Sequence, residues 1–349
     1  MALFEKISMQ EKIDFIKNLS LLIKSGKPIN ESFALLSEQF KSPELKKVLK
    51  KAKEKSEKGT PLHEIFGESK AFDEVFVSFI RAGEESGTLD ENLENLGNWL
   101  ERNHKLKKEI SSATLYPKII ISFAILLGGG LTIFVLPQLV QVFQTLPVEL
   151  PVTTQMMLAI SEVMRESGLY VVGLVAGLML TFYLLLKIRA IRRIYHTLSL
   201  KFPVGGTISQ EYQLTIISQL VATLLRSGIT LDNALDIVSE SVTNIRYEEA
   251  LEEVRDQISA GNSFTQALGS YPGLFPGLFV SVVNTGEETG SYSDSFQYLA
   301  DFFSLRVTER TKRLPTVLEP MLLIAIGIFV AFIAHAIVIP IYEVTEGLY

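Results

Sequence analysis

The chain states one pattern twice, and each statement ends at an apolar run long enough to cross a membrane. Ser25-Gly26 followed by Pro28-Ile29 returns as Ser227-Gly228 followed by Thr230-Leu231. Gly59-Thr60-Pro61-Leu62 returns as Gly261-Asn262-Ser263-Phe264. Phe76-Val77-Ser78 and then Gly83-Glu84-Glu85-Ser86-Gly87 return as Phe279-Val280-Ser281 and then Gly286-Glu287-Glu288-Thr289-Gly290. Pro117 opens one apolar run and Pro320 opens another. The register slips by about one residue from first block to last, so a whole module has been duplicated rather than a short motif. Two similar modules on one membrane anchor suit a scaffold better than a catalyst with a single active site.

The anchor reads as three spans. Residues 119–136 and 169–186 are uncharged and almost wholly apolar, and 321–340 carries only His335 among ionisable side chains. Each is long enough to cross a hydrocarbon core of about 30 Å as a helix. Basic residues choose the sides. Arg102, Lys105, Lys107, Lys108 and Lys118 precede the first run; Lys187, Arg189, Arg192 and Arg193 follow the second; Arg306, Arg310, Lys312 and Arg313 precede the third. The intervening loop holds Glu149, Glu162 and Glu166 against Arg165, and the tail holds Glu343 and Glu346. The expected order is a first cytoplasmic helical domain over 1–117, a span over 118–137 and a short external loop over 138–167. A span over 168–186, a second cytoplasmic domain over 187–319, a span over 320–341 and an external tail over 342–349 follow. Residues 1–24 contain Glu5, Glu11 and Asp14 and no continuous apolar stretch, so no cleavable signal peptide is expected.

Both modules carry helical periodicity. Ile16, Leu19, Leu22 and Ile23 mark one face of a helix stopping at Gly26, and Ile217, Val221 and Leu224 do the same before Gly228. Helices are expected over 31–40, 45–58, 72–82 and 89–109, with a short one holding Leu62, Ile65 and Phe66. The copy repeats them. The fold class is therefore an all-α membrane protein: two homologous cytoplasmic helical bundles of about six helices each, plus three transmembrane helices. The third helix diverges between copies. One carries Lys46, Lys47, Lys50, Lys51, Lys53, Lys55 and Lys58; the other carries Glu248, Glu249, Glu252, Glu253 and Asp256. Solvated faces that drifted apart, or faces that orient modules or subunits by charge, both fit this.

Composition and motifs remove most chemistry. With no cysteine there is no disulfide, zinc-thiolate site or thiol nucleophile. A net charge of −6 argues against nucleic acid as a partner. Ser25-Gly26-Lys27 lacks the rest of a phosphate-binding loop, and His63-Glu64 lacks the second histidine of a zinc-protease helix. His63, His104, His196 and His335 have no metal-ligand spacing, and no catalytic set or cofactor site is legible. Gly83-Glu84-Glu85-Ser86-Gly87 and its repeat are the strongest local pattern. Each reads as a turn between amphipathic helices, with its acids suited to the positive end of the following helix. A partner surface or an oxygen-ligated cation is the alternative reading. Gly173 and Gly177, and the triplet Gly128-Gly129-Gly130, permit close helix packing in the spans.

The ordered set of short motifs resembles the inner-membrane platform protein of type IV pilus and type II secretion machines, the PilC/GspF family. Tyr116-Pro117 enters the first span and Val135-Leu136-Pro137 leaves it. Leu150-Pro151 with Thr153-Thr154 follows in the loop, then Lys201-Phe202-Pro203 through Gly206. Gly286-Glu287-Glu288-Thr289-Gly290, Leu318-Glu319-Pro320 and Ile339-Pro340-Ile341-Tyr342 complete the likeness, from about residue 10 onward. Glu109 and Thr114 depart from the family pattern, and many members carry an additional N-terminal cytosolic segment. The resemblance implies a non-enzymatic component that engages a cytosolic hexameric assembly ATPase, pilin or pseudopilin subunits and other inner-membrane components, and that forms homo-oligomers. It singles out Gly83, Glu84, Gly87, Tyr116, Pro117, Pro137, Gly286, Glu287, Gly290, Glu319 and Pro320 as motif or partner-surface positions. A transporter or channel subunit with duplicated cytosolic domains is the alternative, and the scarcity of polar side chains in the spans counts against it.

Overall fold

The computed structural model describes residues 7–69, 71–130, 152–203 and 205–346. Pro137 and residues 131–151 of the expected first span and loop lie outside them. Among the described residues every regular element is an α-helix, and the chain divides into two units. Unit one is residues 1–108 with 193–308; unit two is 109–192 with 309–349.

In unit one the first module is α1 (Met9–Lys24), α2 (Ile29–Gln39), α3 (Pro43–Ser56), α4 (Leu62–Gly67), α5 (Glu74–Ser86) and the start of α6 (Leu89–Ala113). Local chemistry places these boundaries. Ser8 and Glu11 form a reciprocal capping box at the start of α1. Ser42 caps α3 with Pro43 in its first turn, and Asp73 caps α5 through the Phe76 N–H. The second module repeats the series: α10 (Gly205–Arg226), α11 (Leu231–Ser241), α12 (Ile245–Ser259), α13 (Phe264–Gly269), α14 (Gly277–Thr289) and the start of α15 (Tyr292–Glu346). Among the described residues the positive-φ glycines are Gly26, Gly59 and Gly87 and their copies Gly228, Gly261 and Gly290, with φ between 70° and 88°. The duplication is therefore written into the backbone of the connections as well as into the helices.

Each module has an aromatic centre. Phe15, Phe66, Phe72 and Phe76 cluster with Phe72–Phe76 centroids 4.1 Å apart and Phe66–Phe76 centroids 5.2 Å apart. In the copy Phe275 and Phe279 hold the places of Phe72 and Phe76. Phe66 gives way to Leu268, while Leu62 gives way to Phe264, which packs on Phe296 at 5.9 Å. One large side chain moves by a helical turn and the core volume is kept.

The two modules do not fold as separate bundles. α1 buries Ile13, Phe15, Ile16, Leu19 and Ser20, the stripe of a surface helix. Its copy α10 buries every residue from 213 to 222, which is possible only if all sides of the helix are covered. The first module reaches α10 where the Tyr212 hydroxyl meets Asn103 Oδ1 of α6 at 3.3 Å, and it meets the second module again where α5 lies against α11. The buried apolar side chains of both modules form one continuous core.

Unit two holds α7 (Leu115–Gly130), α8 (Val152–Leu185), the first turn of α9 (Arg189–Lys201) and the later part of α15. The stretches Leu89–Gly130 and Tyr292–Phe332 are each long and apolar enough to cross a membrane. The segment Gly173–Leu185 meets α9 at a bend of 101°, and qualifies as a third only when paired with it. Residues 152–167, expected as external loop, are helical, with a break at Ser167 (φ −124°, ψ 15°). Leu126, Ile125 and Met321 are more than 60% exposed, as apolar side chains are where lipid is the solvent. Within this unit a Cβ on Gly128 would fall 2.6 Å from the Phe329 ring, whereas Gly129, Gly130, Gly173 and Gly177 have open space around them. Of the small residues read as packing points, Gly128 is the one in close contact.

Candidate functional site

The duplicated Gly-Glu-Glu segments are not loops between helices. Gly83 to Ser86 form the last turn of α5, and Gly286 to Thr289 form that of α14. Only Gly87 (φ 72°) and Gly290 (φ 70°) reverse the chain, in the left-handed conformation that favours glycine at a helix end. Gly83 and Gly286 are helical, and the next helix crosses them closely. A Cβ at Gly83 would lie 2.8 Å from Leu89 Cα and 3.1 Å from Asn92 Cβ; at Gly286 it would lie 2.7 Å from Ser295 Oγ. The first glycine is there for approach and the last for the turn.

Glu84 and Glu287 do not serve the following helix as the local pattern suggests. Each turns inward to the start of the short helix about twenty residues earlier. The Glu84 carboxylate accepts from the backbone N–H groups of Leu62 and His63, at 2.5 and 3.1 Å, and its Oε2 lies 2.6 Å from His63 Nδ1. Glu287 accepts from the N–H groups of Phe264 and Thr265, both at 2.9 Å, and from the hydroxyls of Ser263 and Thr265. These are N–H groups that a helix cannot satisfy internally. Pro61 at the start of α4 offers no side-chain acceptor, and Glu84 takes that part across the fold. Burial raises the Glu287 carboxyl, but the bonds from Thr265, Phe264 and Ser263 outweigh it and leave the group below the usual carboxylate range.

The second acid of each pair points elsewhere. Glu85 lines a cleft of about 600 Å³ between α5 and α11, together with Glu74, Asp236, Glu240 and Arg81. Partial burial and the neighbouring Asp236, Glu74 and Glu252 raise the Glu240 carboxyl, so the cleft concentrates negative charge. Glu288 instead accepts from Asn284 on its own helix. Among the described residues no group of three or more His, Asp or Glu is arranged to hold a metal ion.

The other singled-out positions lie at the apolar helices. Tyr116 is half-exposed and Pro117 buried in the first turn of α7, after a break at Thr114, where a proline costs no helical hydrogen bond. Glu319 and Pro320 are exposed within α15. These four belong to unit two, and the Gly-Glu segments to unit one. The charged third helices are partly neutralised at home. Lys51 and Lys55 bind Glu68, which they hold at about 2, while Glu249 of α12 binds Arg193 and Arg246. Lys47 and Lys50 stay exposed.

Comparison with known proteins repeats the duplication. The chain matches the family described as type II secretion system (T2SS), protein F, over residues 15–137 and again over 217–340. The type IV pilus assembly protein PilC of Thermus thermophilus is 29% identical over 95% of this chain and 81% of its own length. PilC of Pseudomonas aeruginosa is 28% identical, covering 97% and 91%. The type II secretion system protein F of Xanthomonas campestris is 24% identical, covering 96% and 83%.

Proposed function

The chain belongs to the type II secretion system protein F family, and from that premise we propose that it couples a cytosolic assembly ATPase to the polymerisation of pilin or pseudopilin subunits. Its role is that of an inner-membrane platform protein of a type IV pilus or type II secretion machine. The observation that carries the reading is the match of both halves to that family. It is supported by a fused helical body whose α6 and α15 continue toward apolar, span-length stretches. Both modules face the cytoplasm in this reading, because basic residues crowd the ends of the apolar runs nearest them.

The mechanism is mechanical. A body with one continuous core moves as a unit, so force applied by the ATPase at any surface helix reaches α6 and α15 together. Two helices leaving one rigid body convey displacement into the bilayer without a catalytic group in this chain. The acidic cleft beside Glu85 and the exposed Lys47–Lys50 face are the charged surfaces that a partner would meet.

Purification of the full chain in detergent tests the reading. On its own it is expected to hydrolyse no ATP, and to co-elute with the cytosolic assembly ATPase of the same cells. Cells lacking the chain are expected to lose filaments or secretion. Intrinsic nucleotide hydrolysis, or normal assembly without the chain, contradicts the proposal.

A further inference from the structure

α9 presents two different faces. One is docked on the second module: Arg193 Nε reaches Glu249 at 3.1 Å, His196 Nδ1 accepts the Ile245 backbone N–H at 3.0 Å, and Leu200 packs against the core. The other is apolar and exposed. Ile194, Tyr195 and Leu198 fall within about a third of the helix circumference, at exposures of 68%, 46% and 67%, and Ile188 and Phe202 flank the helix at its two ends, at 51% and 69%. No residue of α9 is fully buried. A run of large apolar side chains on a polar-backed helix requires a partner.

The chain itself says which. Three residues separate the end of α8 from the start of α9, so Arg189 lies within roughly 14 Å of the end of that apolar helix. The chain turns there by 101°, which lays a helix along a bilayer surface rather than through it. From 187 to 210 the sequence holds Lys187, Arg189, Arg192, Arg193 and Lys201 and no Asp or Glu.

We propose that α9 is an interfacial helix, its stripe of Ile194, Tyr195 and Leu198 and the adjoining Phe202 seated among the acyl chains of the adjacent leaflet, with the exposed Lys187 and Lys201 at its two ends against anionic phospholipid headgroups. Apolar burial and headgroup attraction act together on such a helix. The inference rests on reading α8 as a membrane span. Through Arg193 and His196, α9 ties the second module to the leaflet surface rather than leaving it on a free tether.

The chain has no cysteine, so single substitutions give site-specific labels. Leu198→Cys and Phe202→Cys, with Leu178→Cys inside the span and Lys47→Cys on α3 as controls, would carry an environment-sensitive fluorophore. The full chain is reconstituted in vesicles of phosphatidylethanolamine with phosphatidylglycerol, part of the lipid being brominated. Quenching at 198 and 202 is expected to exceed that at 47 by at least about twofold, and to fall when phosphatidylcholine replaces the anionic lipid. Quenching at 198 and 202 no greater than at 47, with 178 strongly quenched, overturns the inference and leaves the span standing. An unquenched 178 removes the span reading itself. Shielding at 198 that disappears as protein is diluted in lipid shows a second copy on the stripe, which also overturns it. Quenching indifferent to anionic lipid overturns the headgroup contact.

Discussion

Gly83→Val is expected to destabilise the helical body by about 1–3 kcal/mol or more, although valine is by itself a slightly better helix former than glycine. The site is in the last turn of α5, and α6 crosses it so closely that a Cβ would stand 2.8 Å from Leu89 Cα. The obstacle is backbone and cannot rotate away, so α6 itself must shift. Its displacement would disturb Leu93 and Leu96, which are fully buried, and with them the helix that leads to the apolar unit. The copy predicts a graded result. At Gly286 the nearest atom is the Ser295 hydroxyl at 2.7 Å, so Gly286→Ala should cost less than Gly83→Ala and be partly rescued by Ser295→Gly. Denaturation of the full chain in detergent measures both. Wild-type stability in Gly83→Val would show that the α5–α6 approach is not what keeps the glycine.

The second large effect is expected at the paired carboxylates. Glu84→Ala and Glu287→Ala each strand two backbone N–H groups at the start of a short helix, at a cost of about 1–3 kcal/mol. The two sites share no partner, so their effects should add. Gln keeps one acceptor oxygen and should recover part of the loss. The Glu287 carboxyl is depressed in the folded chain. Its contribution is therefore complete above the unfolded value of about 4.3 and lost as pH falls through the lower folded value. Wild type should lose more stability than Glu287→Gln on acidification from neutral pH to below about 4. Equal acid losses would contradict the assigned bonds. Unchanged stability in both alanine variants, with ATPase binding lost, would make these glutamates partner contacts instead of caps.

The helical class and the repeat were legible because both are periodic. Gly26, Gly59 and Gly87 recur at Gly228, Gly261 and Gly290 because each sits where the backbone takes a positive φ. What could not be read was long range. The same letter, glycine, marks a reversal at position 87 and a close approach at position 83, and only the path of α6 tells them apart. Glu84 seemed to belong to the helix after it because spacing reports neighbours; its partners Leu62 and His63 are more than twenty residues back. One signal was available: both the block opened by Gly59 and the Gly-Glu-Glu block return in the copy, as expected of segments that touch. The fusion of the modules also left a trace. Only Ile217, Val221 and Leu224 were read as the face of α10, while Leu214, Ile216, Leu220 and Ala222 place apolar groups around the rest of it. A helix apolar on all sides belongs in the middle of a body, not on its surface.

Labelling of single cysteines at Lys47, in the first module, and Asp256, in the second, tests the central claim most directly. A membrane-impermeant maleimide applied to intact cells is expected to leave both sites unmodified, and to modify both to the same extent after permeabilisation. Modification of either one in intact cells would set the two lobes on opposite faces of the bilayer and contradict a single cytoplasmic body built from both.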